Sequence, residues 1–411
     1  DQFGRIGARK GWTYVTDTNA DDIVHISEFV KSDGTTEIIS ASASNIYKGT
    51  STLTDITPAS HTVDDGLYDH ATLNGVHYLF REGSDPIYYD GTTCDEVSAH
   101  PDYSGTVPPG NIVQSGFGRL WVAKTSTDNT TVYWSDLLTG VKWDTGSSGS
   151  IDISKVWPDG ADEITALAVH NGIIAIFGKR QILLYTGAED PATMQLADTI
   201  VGVGCIARDS VVATGNDVLF LSDRGLMSLG RIIQEKSLPL RDVSANVRTD
   251  LMAAVKAETL PIHSFYSAFD AFYLITFPTT GTTYCFDVRT PLENGSFRAT
   301  TWSGMNPISF TNIAADGFYI GLEGGLAKYG GYNDGTATYK MSYFSNPIDW
   351  GNTSNLKFLK KFNITVIGGN DTDYTLSWSY DYNGVYNKQI FNFAEGALAE
   401  YDESYYNTSA E

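Results

Sequence analysis

Asn171–Gly187 reads NGIIAIFGKRQILLYTG: an Asn-Gly turn, an apolar strand, a polar turn, and a second apolar strand ending on an aromatic residue and Gly. The unit recurs as DGTTEIISASASNIYKG from Asp33, NGVHYLFREGSDPIYYDG from Asn74, NDVLFLSDRGLMSLG from Asn216 and DGFYIGLEGGLAKYG from Asp316. Looser copies sit at Gly118 (GRLWVAK, then VYWSD) and Asp270 (DAFYLITFPTTGTTYCFD), so units begin near residues 25, 70, 111, 165, 210, 263 and 308. Several short strands repeated at intervals of about 40–55 residues are the signature of propeller blades. The reading is an all-β chain: a β-propeller of about seven blades, or six if the Asp22–Thr57 unit belongs to the terminal domain. No Trp-Asp ending recurs in a fixed place, so the blades are not of the common signalling kind.

Composition agrees. The chain has 411 residues, 42% hydrophobic, 12% aromatic and rich in Gly (40), as many tight turns between half-buried strands require. No apolar run approaches the roughly 18–20 residues that span a bilayer as a helix. Helical periodicity is confined to Thr249–Thr259, which with Asp242–Val247 reads as a helical insertion before the unit at His263. Cys94, Cys205 and Cys285 lie in different units, an odd and widely spaced set that reads as buried thiols rather than disulfides or a zinc site.

Three segments follow from these patterns. The blades occupy residues 22–338. After Gly335 the pattern turns to longer alternating segments (ATYKMSYFSNPID, FLKKFNITVIGG, YTLSWSYD, KQIFNFA), which read as a small β-sandwich-like domain over 339–411, truncated or continued beyond YDESYYNTSAE. Residues 1–21, with Trp12 and Tyr14, read as a strand added to that C-terminal sheet.

The net charge is −22, from 27 basic and 49 acidic residues, which disfavours a static grip on nucleic acid because phosphates need clustered Lys and Arg. Against this balance stand two basic groups: Arg5, Arg9 and Lys10 at the N-terminus, and Lys357, Lys360 and Lys361 near the other end. They are the candidate contacts to acidic surface on a neighbouring subunit.

A search for chemistry finds no catalytic centre, and no cofactor or metal is implied. There is no phosphate loop, no Gly-x-Ser-x-Gly elbow and no His-Glu-x-x-His. SYDYNGVY at Ser379–Tyr386 has one residue too many for a glycosidase blade box. The acidic turn Asp159–Glu163 lacks a complete calcium-loop spacing and reads as a plain turn. His25, His70, His170 and His263 fall near unit starts, where the bland reading is satisfied histidines on innermost strands. Asn-x-Ser/Thr triplets at Asn129, Asn294, Asn352, Asn363, Asn370 and Asn407 are compatible with a secreted protein but arise easily in so polar a chain.

The succession GRLWVAK, VYWSD, WDTG, DEITALAVHNGIIAIFGKRQILLYTG, then VGCIARDSVVATGNDVLFLSDRGLMSLG is similar to the tail nozzle, or tail tubular, proteins and packaged-DNA stabilisation proteins of short-tailed bacteriophages. The likeness runs from about Asp22 to the end, through FSNPIDWGNTSNLKFLKKFNITVIGG and SYDYNG, and includes the basic GRIGARKGW. The resemblance implies a non-enzymatic virion tail subunit. It would form a homohexamer beneath the portal and an upstream adaptor ring, retaining the genome and conducting double-stranded DNA at infection without tight binding. Tail fibres are possible further partners. The runner-up is a secreted carbohydrate-active or carbohydrate-binding propeller, which would act as a monomer with one functional face.

Overall fold

In the computed structural model, which describes residues 6–15, 22–64, 66–235, 242–313, 316–345, 348, 351, 361, 372–380 and 384–393, seven antiparallel sheets follow one another along the chain. Blade 1 holds Ile23–Val30, Thr36–Ser42, Ile46–Lys48 and Thr54–Asp55. Blade 2 holds Tyr68–Leu73, Val76–Arg81, Ile87–Tyr89 and Cys94–Glu96, and blade 3 Gly110–Gly116, Arg119–Thr125, Thr131–Trp134 and Gly149–Asp152. Blade 4 holds Ile164–His170, Ile173–Gly178, Gln181–Thr186 and Gln195–Val201; blade 5 Val212–Ala213, Val218–Ser222 and Gly225–Ser228. Blade 6 holds His263–Ser267, Phe272–Phe277, Thr282–Asp287 and Arg298–Ser303. Blade 7 holds Ser309–Ile313, Gly317–Leu322 and Gly325–Tyr329. The Asp22–Thr57 unit is therefore a blade, and the count is seven. At Asn74-Gly75 and Asn171-Gly172 both turn residues have positive φ (51° and 75°, 48° and 76°), the tight hairpin geometry that Asn-Gly allows at least strain.

The fourth strand of blade 7 comes from the other end of the chain. Trp12–Tyr14 pairs antiparallel with Gly325–Tyr329, Trp12 opposite Tyr329 and Tyr14 opposite Ala327. The expectation that this strand joins the C-terminal sheet is thus corrected, and the propeller's compact unit is Gly7–Lys340 rather than 22–338. Seven distinct cores explain why closure matters. Each adjoining pair of blades has its own buried cluster, and the smallest lies at the seam of blades 7 and 1: Ile23, Ile26 and Ile38 against Tyr319 and Leu326. A strand drawn from the N-terminus ties that seam covalently to blade 1.

The tie is held by backbone as well as side chains. Gly11 N–H donates to the Gly331 carbonyl (3.0 Å), Trp12 N–H to that of Asn333 (2.9 Å), and Gly335 N–H to that of Trp12 (2.8 Å). A Cβ on Gly11 would stand 1.9 Å from the Asn333 carbonyl oxygen, backbone that cannot rotate away. Gly11→Ala is therefore expected to lower the urea midpoint by an amount equivalent to about 1–3 kcal/mol, as overpacking does. An unchanged midpoint would mean that the tie contributes nothing to closure.

Among the described residues blade 5 has three strands and no fourth. After Gly225–Ser228 the chain enters helices Leu229–Glu235 and Arg248–Ala257, the second within two residues of the expected Thr249–Thr259. Between them, Val243 N–H donates to the Leu226 carbonyl (2.9 Å) and the Ser244 hydroxyl accepts from Leu226 N–H (3.0 Å), so this segment covers the blade's edge. The second unit takes Asp1–Ile6 and Met341–Glu411. Its described part is a hairpin of Thr372–Trp378 and Asn387–Phe393, in register from Thr372 opposite Phe393 to Trp378 opposite Asn387. The first expected segment, ATYKMSYFSNPID, is corrected: residues 338–345 are described and form no strand, while most of FLKKFNITVIGG and the chain after Phe393 lie outside the described residues.

Candidate functional site

The inner strands all begin at one end of the propeller axis, and in several blades polar residues stand at or beside those positions. Tyr68, Asp69 and His70 open blade 2, Asn111 opens blade 3, His263 and Ser264 open blade 6, and His25 lies near the start of blade 1. Arg208 enters this group from the connector before blade 5, on a 3-10 turn over Arg208–Ser210. Its guanidinium donates to the carbonyls of Tyr68 (2.6 Å) and Asn111 (2.5 Å), reaching blades 2 and 3, and from Nε to Asp209 Oδ1 (2.5 Å). The other Asp209 oxygen lies 3.4 Å from His263 Nδ1, and the Ser264 hydroxyl donates to the Asp209 carbonyl. One Arg-Asp pair thus ties blades 2, 3 and 6 to the connector of blade 5, with the Arg208 side chain only 11% exposed.

Imidazoles complete the cluster. The rings of His25 and His70 are 5.0 Å apart and those of His70 and His77 5.5 Å. His77, on the second strand of blade 2, lies between the Ser27 hydroxyl (2.9 Å from Nε2) and the Thr72 hydroxyl (3.2 Å from Nδ1). Burial is the main cause that lowers the basicity of all three, followed by Arg208 for His70, by His70 for His77, and by His70, His77 and Arg208 for His25: His70 falls to about 4, and His25 and His77 well below the ordinary value. Burial raises the Asp69 carboxyl to about 6 although it accepts N–H bonds from Val113 and His70 (both 2.8 Å). Burial opposes ionisation of Asp209 too, but Arg208 and His263 outweigh it and hold that carboxyl well below the usual range. The cluster is a neutral histidine stack between blades 1 and 2 beside a charged Arg-Asp pair that links blades 2, 3 and 6.

Three of the four histidines noted in the sequence, His25, His70 and His263, gather here. The reading of them as satisfied is corrected for two: His25 Nε2 and His70 Nδ1 are buried without a hydrogen-bond partner among the described residues. His170 lies at the far end of its strand, bonded to Asn171 (2.9 Å). Arg208 and Asp209 went unremarked in sequence, although two adjacent charges inside the apolar run VGCIARDSVV were the available signal. Among the described residues no group of three or more His, Cys, Asp or Glu is placed to hold a metal.

The basic candidates have separate fates. Arg9 is internal: bidentate on Asp334 (2.7 and 2.5 Å), 4.2 Å from the Tyr339 ring centroid, with its side chain 6% exposed. That guanidinium fastens the closing strand and has little left to offer a neighbour. Lys10 and Lys361 are exposed, and Arg5, Lys357 and Lys360 lie outside the described residues. At Asp159–Glu163, Asp162 accepts N–H bonds from Glu163, Lys179 and Arg180 and Glu163 pairs with Lys179 (2.9 Å), so the acidic turn serves blade 4 itself. Cys205 and Cys285 are buried free thiols and Cys94 is half-buried. A groove of about 550 Å³ runs between blades 4 and 5, with His170, Asn216, Arg231, Ile233 and Phe297 on its walls.

Neither a family model nor a curated protein matches the chain. Among solved structures it is similar to PorZ, a surface component of the type-IX secretion system of Porphyromonas gingivalis, at 11% identity and a TM-score of 0.46. That likeness covers 80% of this chain and 40% of PorZ, so the chain spans well under half of that protein. It is also similar to Kluyveromyces lactis Hsv2, at 10% identity and a TM-score of 0.38, over 69% of this chain and 98% of that one. Likenesses this remote carry no functional argument. The propeller itself rests on the strand pairing above.

Proposed function

We propose that the chain is a structural subunit of a short-tailed phage tail nozzle, one of a ring of six around the channel through which double-stranded DNA leaves. One observation carries the reading. The ordered segments on which the resemblance rests, from Gly118–Lys124 to Asn216–Gly230, are blades 3, 4 and 5 in unbroken succession, and they include the Val203–Ser210 connector that supplies Arg208 to the axis. Inner strands tied together by Arg208, from the blade 5 connector to blades 2 and 3, leave no conduit for a duplex within one propeller, so on this reading the channel for DNA lies between subunits and requires a ring. The net charge of −22 suits a wall past which phosphates slide, since each lysine facing the duplex adds an attractive contact. Repulsion reaches only about 8–10 Å at physiological salt, so it centres the duplex in a lumen not much wider than DNA. Lys10 and the Lys357, Lys360, Lys361 group remain the candidates for contact with a neighbour's acidic surface.

The purified chain is expected to show no tight retention of duplex DNA at low salt, and native mass measurement is expected to find a closed ring. Tight, salt-sensitive DNA binding, or a monomer that binds oligosaccharide, would replace this reading with one of its rivals.

A further inference from the structure

The groove between blades 4 and 5 has walls fixed by hydrogen bonds. Asp217 accepts N–H bonds from Val218 (2.7 Å) and Gly230 (2.8 Å) and the hydroxyl of Ser228. The Ser228 oxygen in turn accepts from Arg231 N–H (3.0 Å), and the Arg231 guanidinium donates to the Gly295 carbonyl (3.0 Å). Phe297 is held on both sides: its N–H donates to the Val243 carbonyl (2.7 Å), and its own carbonyl accepts from the Asn246 amide (3.0 Å).

Two lining residues take no part in this network. The side-chain amides of Asn216 and Gln234 are exposed and have no hydrogen-bond partner among the described residues. Each amide carries donors and an acceptor in one plane. Apolar surface lines the same groove. Ile173 and Ile233 pack onto the core between blades 4 and 5, and Phe297 onto the core between blades 5 and 6, each only partly covered.

We propose that this groove binds a neutral oligosaccharide, with Asn216 and Gln234 hydrogen-bonded to its hydroxyls and Phe297 against the C–H face of a sugar ring. A saccharide presents adjacent hydroxyls, each both donor and acceptor, around a ring whose faces are apolar. Planar amides match the first and the Phe297 and isoleucine surface the second. Charge argues against an anionic ligand. The lining holds one arginine, already engaged at Gly295, against the Asp217 carboxylate, on a chain of net charge −22. A volume of about 550 Å³ falls within the roughly 300–1,000 Å³ of small-molecule sites and suits a disaccharide. The inference goes beyond the nozzle reading and does not rest on it.

The test titrates the full chain with lactose, maltose, cellobiose and N,N′-diacetylchitobiose up to about 10 mM, read by saturation-transfer NMR and calorimetry, with inorganic phosphate as the anionic probe. At least one disaccharide is expected to bind with a Kd of about 1 mM or tighter, and phosphate is not. Asn216→Ala combined with Gln234→Ala should weaken that binding about tenfold or more, with an unchanged urea midpoint because both side chains are exposed. Phe297→Leu, which keeps an apolar contact with the core but removes the flat ring, should weaken it several-fold. Binding of none of the four sugars, sugar binding that the double amide variant leaves unchanged, or phosphate binding that the same variant abolishes overturns the proposal. Native mass measurement keeps it apart from the nozzle reading. A ring that binds no sugar leaves that reading standing, whereas a monomer that binds sugar through these residues removes it and retains this one.

Discussion

Arg208→Ala is expected to destabilise the propeller by about 3–5 kcal/mol, the usual result of removing one partner of a buried ion pair. The guanidinium reaches from the blade 5 connector to blades 2 and 3, and its loss leaves the carbonyls of Tyr68 and Asn111 without those donors. It also leaves Asp209 with only His263 and neighbouring hydrogen bonds to offset a burial that opposes its charge. The second partner supplies the control. Asp209→Asn on the Arg208→Ala background removes the stranded charge, so the double variant should recover part of the loss instead of adding to it. Urea denaturation of the three variants at neutral pH measures this. A single-variant loss below about 1 kcal/mol, or fully additive losses, would mean that the pair is solvated surface and that the blades hold the axis without it.

Why Arg208 escaped a reading of the sequence, while the blades did not, follows from the range over which each signal acts. A blade announces itself locally. The Asn-Gly turns at Asn74 and Asn171 and the apolar runs beside them place the first strands within about two residues, and the expected unit start near 263 coincides with His263. The closing strand is only Trp12–Tyr14, too short to show a period, and its partner lies more than 300 residues away, so its assignment to the C-terminal sheet had no local pattern to correct it. Helix Leu229–Glu235 follows the strand Gly225–Ser228 without a break, and LGRIIQE is as acceptable in a strand as in a helix. Arg9 read as a contact to a neighbouring subunit because its partners in the fold, Asp334, Trp302 and Tyr339, are remote in sequence. The axial cluster was half legible. The placement of histidines near unit starts was visible, but their convergence with Arg208 depends on circular closure, which brings blades 2, 3 and 6 to one point.

The same cluster should make the protein lose stability in mild acid, and the sign can be worked out group by group. In the unfolded chain His25, His70 and His77 take up protons near pH 6.5, whereas in the folded chain His70 holds off until about 4 and the other two also protonate well below the ordinary value. Between those limits the unfolded state binds more protons, so stability falls as pH falls. Asp69 acts in the opposite sense. Its folded carboxyl takes a proton near pH 6, above the ordinary carboxylate value, so between 6 and about 4 it restores stability as pH falls. Asp209, held low by Arg208, loses its contribution only below the unfolded carboxylate range. Three histidines against one aspartate leave a net uptake of up to about two protons on unfolding, a slope approaching ~2–3 kcal/mol per pH unit across the middle of that window. Urea midpoints measured from pH 7.5 to 4.5 should therefore decline steadily from about pH 6.5. Asp69→Asn should steepen the decline by about one proton's worth, since it removes the opposing group and leaves the histidines. A flat profile, or a decline that Asp69→Asn makes shallower, would mean that the three imidazoles are not held neutral at the axis.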